Sequence, residues 1–278
     1  MKSLPHSTWS PLLDKCLQHR EVKPRTEGIT CVLDKHLGTN GLQDLLDVAG
    51  PYIDVFKMTS LTTAFQTEEL LRRKISMLRE AKIDVFPGGT CSEVMIWQGI
   101  FPAFLRRAKE LGFTGIEISD GTIDMSDELR KKSLGKAADM GFHVFSEIGN
   151  KEWSPKLEIE KLIEDLQRDF LYGAKFVIVE AMEIGKSVGI MDEKGNPNEE
   201  SLNALSNAAG GTKRIIFEAP LRHQQELFIN KLGPNVNLGN IPPDEVLVVE
   251  ATRHKTTGIP LMHAYMQSKN SIMQNLKK

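Results

Sequence analysis

Residues 176–182 read FVIVEAM: four apolar residues run directly into a glutamate, Glu180. Val, Ile and Phe suit a pleated, packed surface, and a short continuous apolar run is the mark of a strand buried on both faces. The same cadence recurs in GIEISDG at 115–121 with Glu117, in HVFSEIG at 143–149 with Glu147, and in RIIFEAP at 214–220 with Glu218. Four further runs have strand character: ITCVLDK at 29–35, YIDVFKM at 52–58, IDVFPGG at 83–89 and VNLGNI at 236–241. Between them lie segments of helical period such as TEELLRRKISMLREA and PAFLRRAKELG, and GNPNEESLNALSNAAGG at 195–211 reads as a loop and helix before the seventh strand. Strands alternating with helices predict βα units on a parallel sheet. Eight such units match an α/β fold of the (β/α)8 TIM-barrel type, with a doubly wound open sheet as the alternative. No glycine-rich turn follows the first strand, as a dinucleotide fold would require. Residues 1–278 are read as a single barrel domain with short helical extensions at both ends.

Composition narrows the function. With 278 residues, 40% hydrophobic and 26% charged, the chain can bury one large core. A formal net charge of -2 offers no basic stripe for a phosphate backbone, so nucleic acid is excluded as a partner. No apolar run approaches the roughly 18 residues of a membrane span, and MKSLPHSTWSPLL lacks a signal-peptide core, which reads as a cytoplasmic chain without a membrane partner. Cys16, Cys31 and Cys91 lack metal-type spacing and fit reduced thiols. Cys91, after a Gly-Gly-Thr turn, is a nucleophile candidate, and a plain buried thiol is the simpler reading.

A barrel gives the four glutamates a common destination. Side chains alternate along a strand, so Ile178, Glu180 and Met182 share one face, as do Ile216, Glu218 and Pro220. In parallel barrels the catalytic groups sit at the carboxyl ends of the strands, where these glutamates fall. Four carboxylates at one rim repel one another and call for a cation or for lysines. Lys35 and Lys57 close the first two strands and Lys151 follows the fifth. The plainer alternative is that each glutamate caps a helix or pairs with a surface lysine. Glu117, Glu180 and Glu218 are the metal-ligand candidates, and hard carboxylates suit Mg2+, which takes only one or two of them beside its waters. Lys151, Lys57, Lys35 and Glu147 are the catalytic candidates. Gly88, Gly89 and Thr90 of PGGT expose N–H groups able to hold an anion. Asn237 and Asn240 of the last strand, with Ser119 and Arg253, complete the substrate-binding set, since loops after strands seven and eight commonly bind phosphate. His36, His223 and His254 read as solvated side chains.

Taken in order, KPRTEGIT, LDK, YIDVFK, FPGGT, GFTGIEISDGT, EIGNK, FEAP, HQQELFI, GPNVNLGNI and EATR resemble the phosphosulfolactate synthase family over most of the chain. The resemblance implies a (β/α)8 lyase that adds sulfite to phosphoenolpyruvate with Mg2+, through a metal-stabilised enolate, toward coenzyme M or sulfolactate. It also implies that Lys151, the lysine of the E-x-G-x-K motif, protonates C2. Three stretches depart from the family pattern. KMTSLTT replaces a phenylalanine and glycine-rich turn after Lys57, Met182 and Ile184 replace an arginine and a serine, and RHKTTG replaces a terminal arginine and Gly-Asp-Thr. Each change removes guanidinium forks or N–H groups suited to anions. The expected partner is therefore a small-molecule carboxylate or phosphorylated substrate, less anionic than phosphoenolpyruvate plus sulfite, unless Arg25, Arg222, Arg253 or Lys255 replaces the missing guanidinium. Met182 and Ile184 are expected on the pocket wall, and a homo-oligomer is expected. The alternatives are a Schiff-base aldolase using Lys57 or Lys35, and a non-catalytic binding barrel.

Overall fold

The eight strands β1 (Thr30–Asp34), β2 (Val55–Met58), β3 (Asp84–Pro87), β4 (Gly115–Ile118), β5 (His143–Ile148), β6 (Phe176–Val179), β7 (Ile215–Glu218) and β8 (Asn237–Ile241) each fall inside one of the runs read as strands. The structure is a computed structural model that describes residue 9, residues 20–149 and 159–258, and residues 261, 262, 265, 266 and 269. The strands run parallel in the order β3-β2-β1-β8-β7-β6-β5-β4. The two flanking strands meet: the Thr114 N–H donates to the Val85 carbonyl at 3.1 Å, and the Val85 N–H donates to Thr114 Oγ1 at 2.9 Å. The sheet therefore curls into a nearly closed (β/α)8 barrel of one domain, and the open-sheet alternative falls away.

Helices α1 (Thr39–Ala49), α2 (Glu68–Glu80), α3 (Gly89–Trp97), α4 (Phe101–Leu111), α5 (Asp127–Asp139), α6 (Ile159–Leu171), α7 (Glu199–Ala208), α8 (Arg222–Leu232) and α9 (Val246–Arg253) surround the strands. Their starts follow local chemistry. Thr67 Oγ1 accepts from the Leu70 N–H ahead of α2, whose first turn carries Glu68 and Glu69 against the helix dipole, and Ser126 caps α5 in the same way. The α3 helix was not legible, because GTCSEVMIW spreads its apolar residues around the axis and opens on two glycines. Among the described residues no helix is long and apolar enough to cross a membrane. The expected amino-terminal helical extension lies outside the described residues, as does most of the carboxyl-terminal one.

Alternation along the strands divides the core in two. Val32, Phe56, Val85, Ile116, Val144, Val177, Phe217 and Leu238 face outward to the helices. Ile29, Cys31, Val55, Phe86, Phe145, Phe176, Ile178 and Ile216 fill the barrel interior, with the Phe145 ring 4.5 Å from that of Phe86 and 5.7 Å from that of Phe176. This apolar plug is the floor on which the polar rim stands.

The amino-terminal end of the barrel is closed by a network that includes Arg253 and Asn237, two of the substrate-binding candidates. Arg253 is fully buried and donates to the carbonyls of Pro234 at 2.7 Å, Val236 at 2.6 Å and Ile29 at 3.3 Å. Asn237 donates to the carbonyls of Thr212, Lys213 and Ile215 and accepts from the Ile29 N–H. Asn237 opens β8 and Arg253 closes α9, and both bond groups around the starts of β8 and β1, the opposite end of the barrel from the glutamates. Their polar atoms satisfy backbone groups that burial would otherwise leave unpaired. Lys23 donates to the carbonyls of Gly50, Ile53 and Ala81, and Arg25 pairs with Asp54 at 3.0 Å, anchoring KPRTEGIT beneath the barrel. His254 is buried beside Glu250, not solvated.

Glu250 makes this closure pH-dependent. Burial alone would raise its carboxyl pKa, but His254, Arg20, Arg253 and Arg25 outweigh burial and hold it at about 2. A folded pKa below the unfolded value of about 4.3 contributes stability that is present above that value and lost as pH falls through the folded one. The stability gap between wild type and Glu250→Gln should therefore shrink by roughly 2 to 3 kcal/mol between pH 6 and pH 2 in denaturant titrations. A gap that stays constant over this range would contradict the assignment.

Candidate active site

Lys57, Glu117, Glu147, Glu180 and Glu218 each stand two residues beyond Val55, Gly115, Phe145, Ile178 and Ile216. Alternation therefore points them inward, one layer above the apolar plug at the carboxyl end. All five are buried, none more than 8% exposed. Lys57 Nζ lies 2.8 Å from Glu117 Oε1, 3.1 Å from Glu218 Oε1 and 3.3 Å from Glu147 Oε2. Backbone amides hold three of the carboxylates: the Gly89 N–H donates to Glu117 at 3.1 Å, the Met182 N–H to Glu180 at 2.7 Å and the Ala181 N–H to Glu218 at 2.9 Å. The four glutamates converge, as expected, around a lysine from β2. Lys151 lies outside the described residues.

One ammonium cannot balance four carboxylates in a dry layer. Burial alone would lower the Lys57 pKa, but Glu117, Glu218, Glu147 and Glu180 outweigh it and hold the group well above its ordinary value. Burial pushes Glu117 well up, with Lys57 opposing and Glu147 adding to the rise. Burial likewise pushes Glu180 well up, reinforced by Glu147 and Glu218. Glu147 contributes to the rise at both through its charge and through hydrogen bonding. One oxygen each from Glu147, Glu180 and Glu218 lies within 4.8 Å of the others. An all-carboxylate donor set suits a hard divalent cation, so the residues present fit the expected metal. Glu147 stands in this group with Glu180 and Glu218, and Glu117, a metal-ligand candidate from sequence, is not part of it.

The expected anion cradle is filled from within the chain. The Gly88 N–H donates to the Met58 carbonyl at 2.7 Å and the Gly89 N–H to Glu117, so neither is left to hold an anion, and Thr90 lies half-buried in the first turn of α3. Both glycines are required by close approach: a Cβ on Gly88 would stand 2.7 Å from the Ser60 nitrogen, and one on Gly89 would stand 2.7 Å from Ser119 Oγ. Ser119 donates to Glu93 at 2.9 Å, which spends its hydroxyl proton. Cys91 is buried and burial pushes its thiol up to about 11, which fits the plain thiol and not a nucleophile. Asn240 sits at the carboxyl end of β8 with φ 53, donates to the Met182 carbonyl at 3.3 Å and leaves Oδ1 buried without a partner. Lys35 is exposed and ion-paired with Glu183 at 2.6 Å. Glu183 also accepts from Thr59 Oγ1 at 2.8 Å, so the loop after β6 reaches across the mouth to the ends of β1 and β2. Met182 and Ile184 in that loop are 37% and 60% exposed. Glu183, Thr59 and the buried pair of Lys74 with Asp34 at 2.6 Å were not singled out from sequence. Asp34 within LDK was the available signal, a carboxylate closing an apolar strand.

The (2R)-phospho-3-sulfolactate synthase (ComA) profile matches residues 18–258. The chain belongs to the phosphosulfolactate synthase family. It is 40% identical over 233 residues to the phosphosulfolactate synthase of Methanocaldococcus jannaschii, covering 83% of this chain and 92% of that one. It is 37% identical over 241 residues to that of Methanothermobacter thermautotrophicus, covering 86% and 93%. Family membership places the chain among lyases. Among solved structures it is similar to the YdjI aldolase of Escherichia coli K12, with a TM-score of 0.55 over 83% of this chain and 87% of that one at 12% identity, a likeness of fold alone.

Removing the central ammonium of this phosphosulfolactate synthase family site leaves buried carboxylates uncompensated. With chelator present, Lys57→Met should lower the unfolding free energy by about 3–5 kcal/mol, the scale for breaking a buried ion pair from one side. A loss under about 1 kcal/mol in urea titrations would show that the carboxylates do not depend on Lys57.

Proposed function

We propose that this family member is a cation-dependent lyase working through an enolate, on a carboxylate substrate less anionic than phosphoenolpyruvate and sulfite together. The observation that carries the chemistry is the buried group of Glu147, Glu180 and Glu218 beside Lys57. Those three carboxylates would hold a divalent cation, which when bound would offset the negative charge that an enolate places on its oxygens. Mg2+ is the cation that oxygen-only donors favour. Lys57 keeps its proton among the carboxylates and fixes two of them in place, a role that disfavours the Schiff-base alternative, since a nucleophilic amine must be deprotonated. Lys151, two residues beyond Gly149 in EIGNK, is assigned the proton delivered to C2 of the substrate.

The substrate reading is supported by the rim. The loop after β6 presents the apolar Met182 and Ile184 where the family pattern has an arginine and a serine. Lys35, which follows β1 at that mouth, is ion-paired with Glu183. Arg25 and Arg253 lie at the other end of the barrel, and Arg222, at the rim start of α8, faces Glu226 at 3.6 Å. Burying a phosphate or sulfonate against Met182 without a compensating donor would cost several kcal/mol.

Purified protein supplied with Mg2+, sulfite and phosphoenolpyruvate should form phosphosulfolactate weakly or not at all. Robust formation would overturn the altered-substrate reading and leave the reaction named for the relatives. On whichever carboxylate the protein turns over, Lys151→Met should reduce kcat by about 10²-fold or more, with Mg2+ affinity unchanged. Activity within a few-fold of wild type would remove Lys151 from proton delivery.

A further inference from the structure

We propose that Arg130 is the positioning residue for Glu147 and thereby sets cation affinity from outside the barrel. This rests on reading Glu147, Glu180 and Glu218 as the cation site. Arg130 lies on α5 and is 1% exposed. Its Nη2 donates to the Glu147 carbonyl at 2.9 Å and to Asp169 Oδ2 at 2.6 Å, and its Nε donates to Asp169 Oδ1 at 2.8 Å. Its Nη1 stands 2.8 Å from Asp120 Oδ2, an ion pair without hydrogen-bond alignment. Asp169 is on α6 and fully buried, and Asp120 follows Glu117 by three residues. One guanidinium therefore ties together the ends of β4 and β5, the strands that carry Glu117 and Glu147.

Glu147 is the carboxylate for which this matters. Glu117, Glu180 and Glu218 are each held at the carboxylate by a backbone amide. The carboxylate of Glu147 meets Lys57 at the longest of the three lysine distances, 3.3 Å. The contact from Arg130 is to the main-chain carbonyl of Glu147, apart from its carboxylate. It fixes the strand two residues before Gly149, whose φ of +120 turns the chain away. A bidentate fork on Asp169 makes that anchor rigid, which an ammonium in its place could not reproduce.

The test is Mn2+ titration by calorimetry on the full chain. Arg130→Lys keeps the charge and removes the fork, and should weaken Mn2+ binding by about tenfold, the lower end for partners that orient a ligand. Glu147→Gln should also weaken binding, and the double variant Arg130→Lys/Glu147→Gln should bind no more weakly than Glu147→Gln alone. Glu250→Gln, at the far end of the barrel, should lose stability without altering Mn2+ affinity. Should Arg130→Lys fail to fold, Asp120→Asn loosens the same clamp at its partly exposed end and should show the same non-additivity with Glu147→Gln at smaller amplitude. Wild-type affinity in Arg130→Lys, or additive losses in the double variant, would overturn the positioning role while leaving the cation site standing. Failure of wild type to bind Mn2+ would overturn the cation site and the positioning role together.

Discussion

A single ammonium, Lys57 Nζ, stands within 3.3 Å of three buried carboxylates, with a fourth beside them. That excess of negative charge in a layer closed to water is the constraint around which the molecule is arranged. It is tolerated because the barrel floor is packed with Phe86, Phe145 and Phe176, which fixes the strands and hence the glutamates. It is tolerated also because amides of Gly89, Ala181 and Met182 point at carboxylate oxygens, and because burial pushes the carboxyl pKa values of Glu117 and Glu180 well up. A charge arrangement this costly is not a device for stability, since apolar packing in the same volume would be as good or better. It accords with the proposed function, in which a divalent cation would supply positive charge among Glu147, Glu180 and Glu218.

The two ends of the barrel divide the work. Arginine and lysine side chains at the amino-terminal end satisfy strand carbonyls and secure the segment around Lys23 and Arg25. At the carboxyl-terminal end, Asp34, Lys74, Glu93 and Arg130 hold loop beginnings and strand ends behind the site. Motifs from both ends belong to the matched family region, but only the second group stands near the carboxylates.

Strands and glutamates were legible because both signals are local: an apolar run and its two-residue alternation carry their own register. FVIVEAM and RIIFEAP thus placed Glu180 and Glu218 on an inward face before any tertiary information. Asn237 and Arg253 were expected at the rim, but Asn237 opens β8 and Arg253 ends the following helix, and in a βα unit both positions lie at the amino-terminal end of the barrel. PGGT misled in another way: one of its amides, that of Gly89, does bind an anion, but the anion is the carboxylate of Glu117 across the β3 and β4 seam. The links from Arg130 to Glu147 and from Glu183 to Lys35 and Thr59 join residues distant in sequence, and no local pattern announces them.

The arrangement at the centre of the barrel is most directly tested by anomalous diffraction from crystals soaked in Mn2+. The carboxylate group should show one anomalous peak bonded to oxygens of Glu147, Glu180 and Glu218, with Lys57 Nζ remaining on Glu117. A map at saturating Mn2+ with no peak among these carboxylates, or with the ion bound elsewhere on the chain, would contradict it.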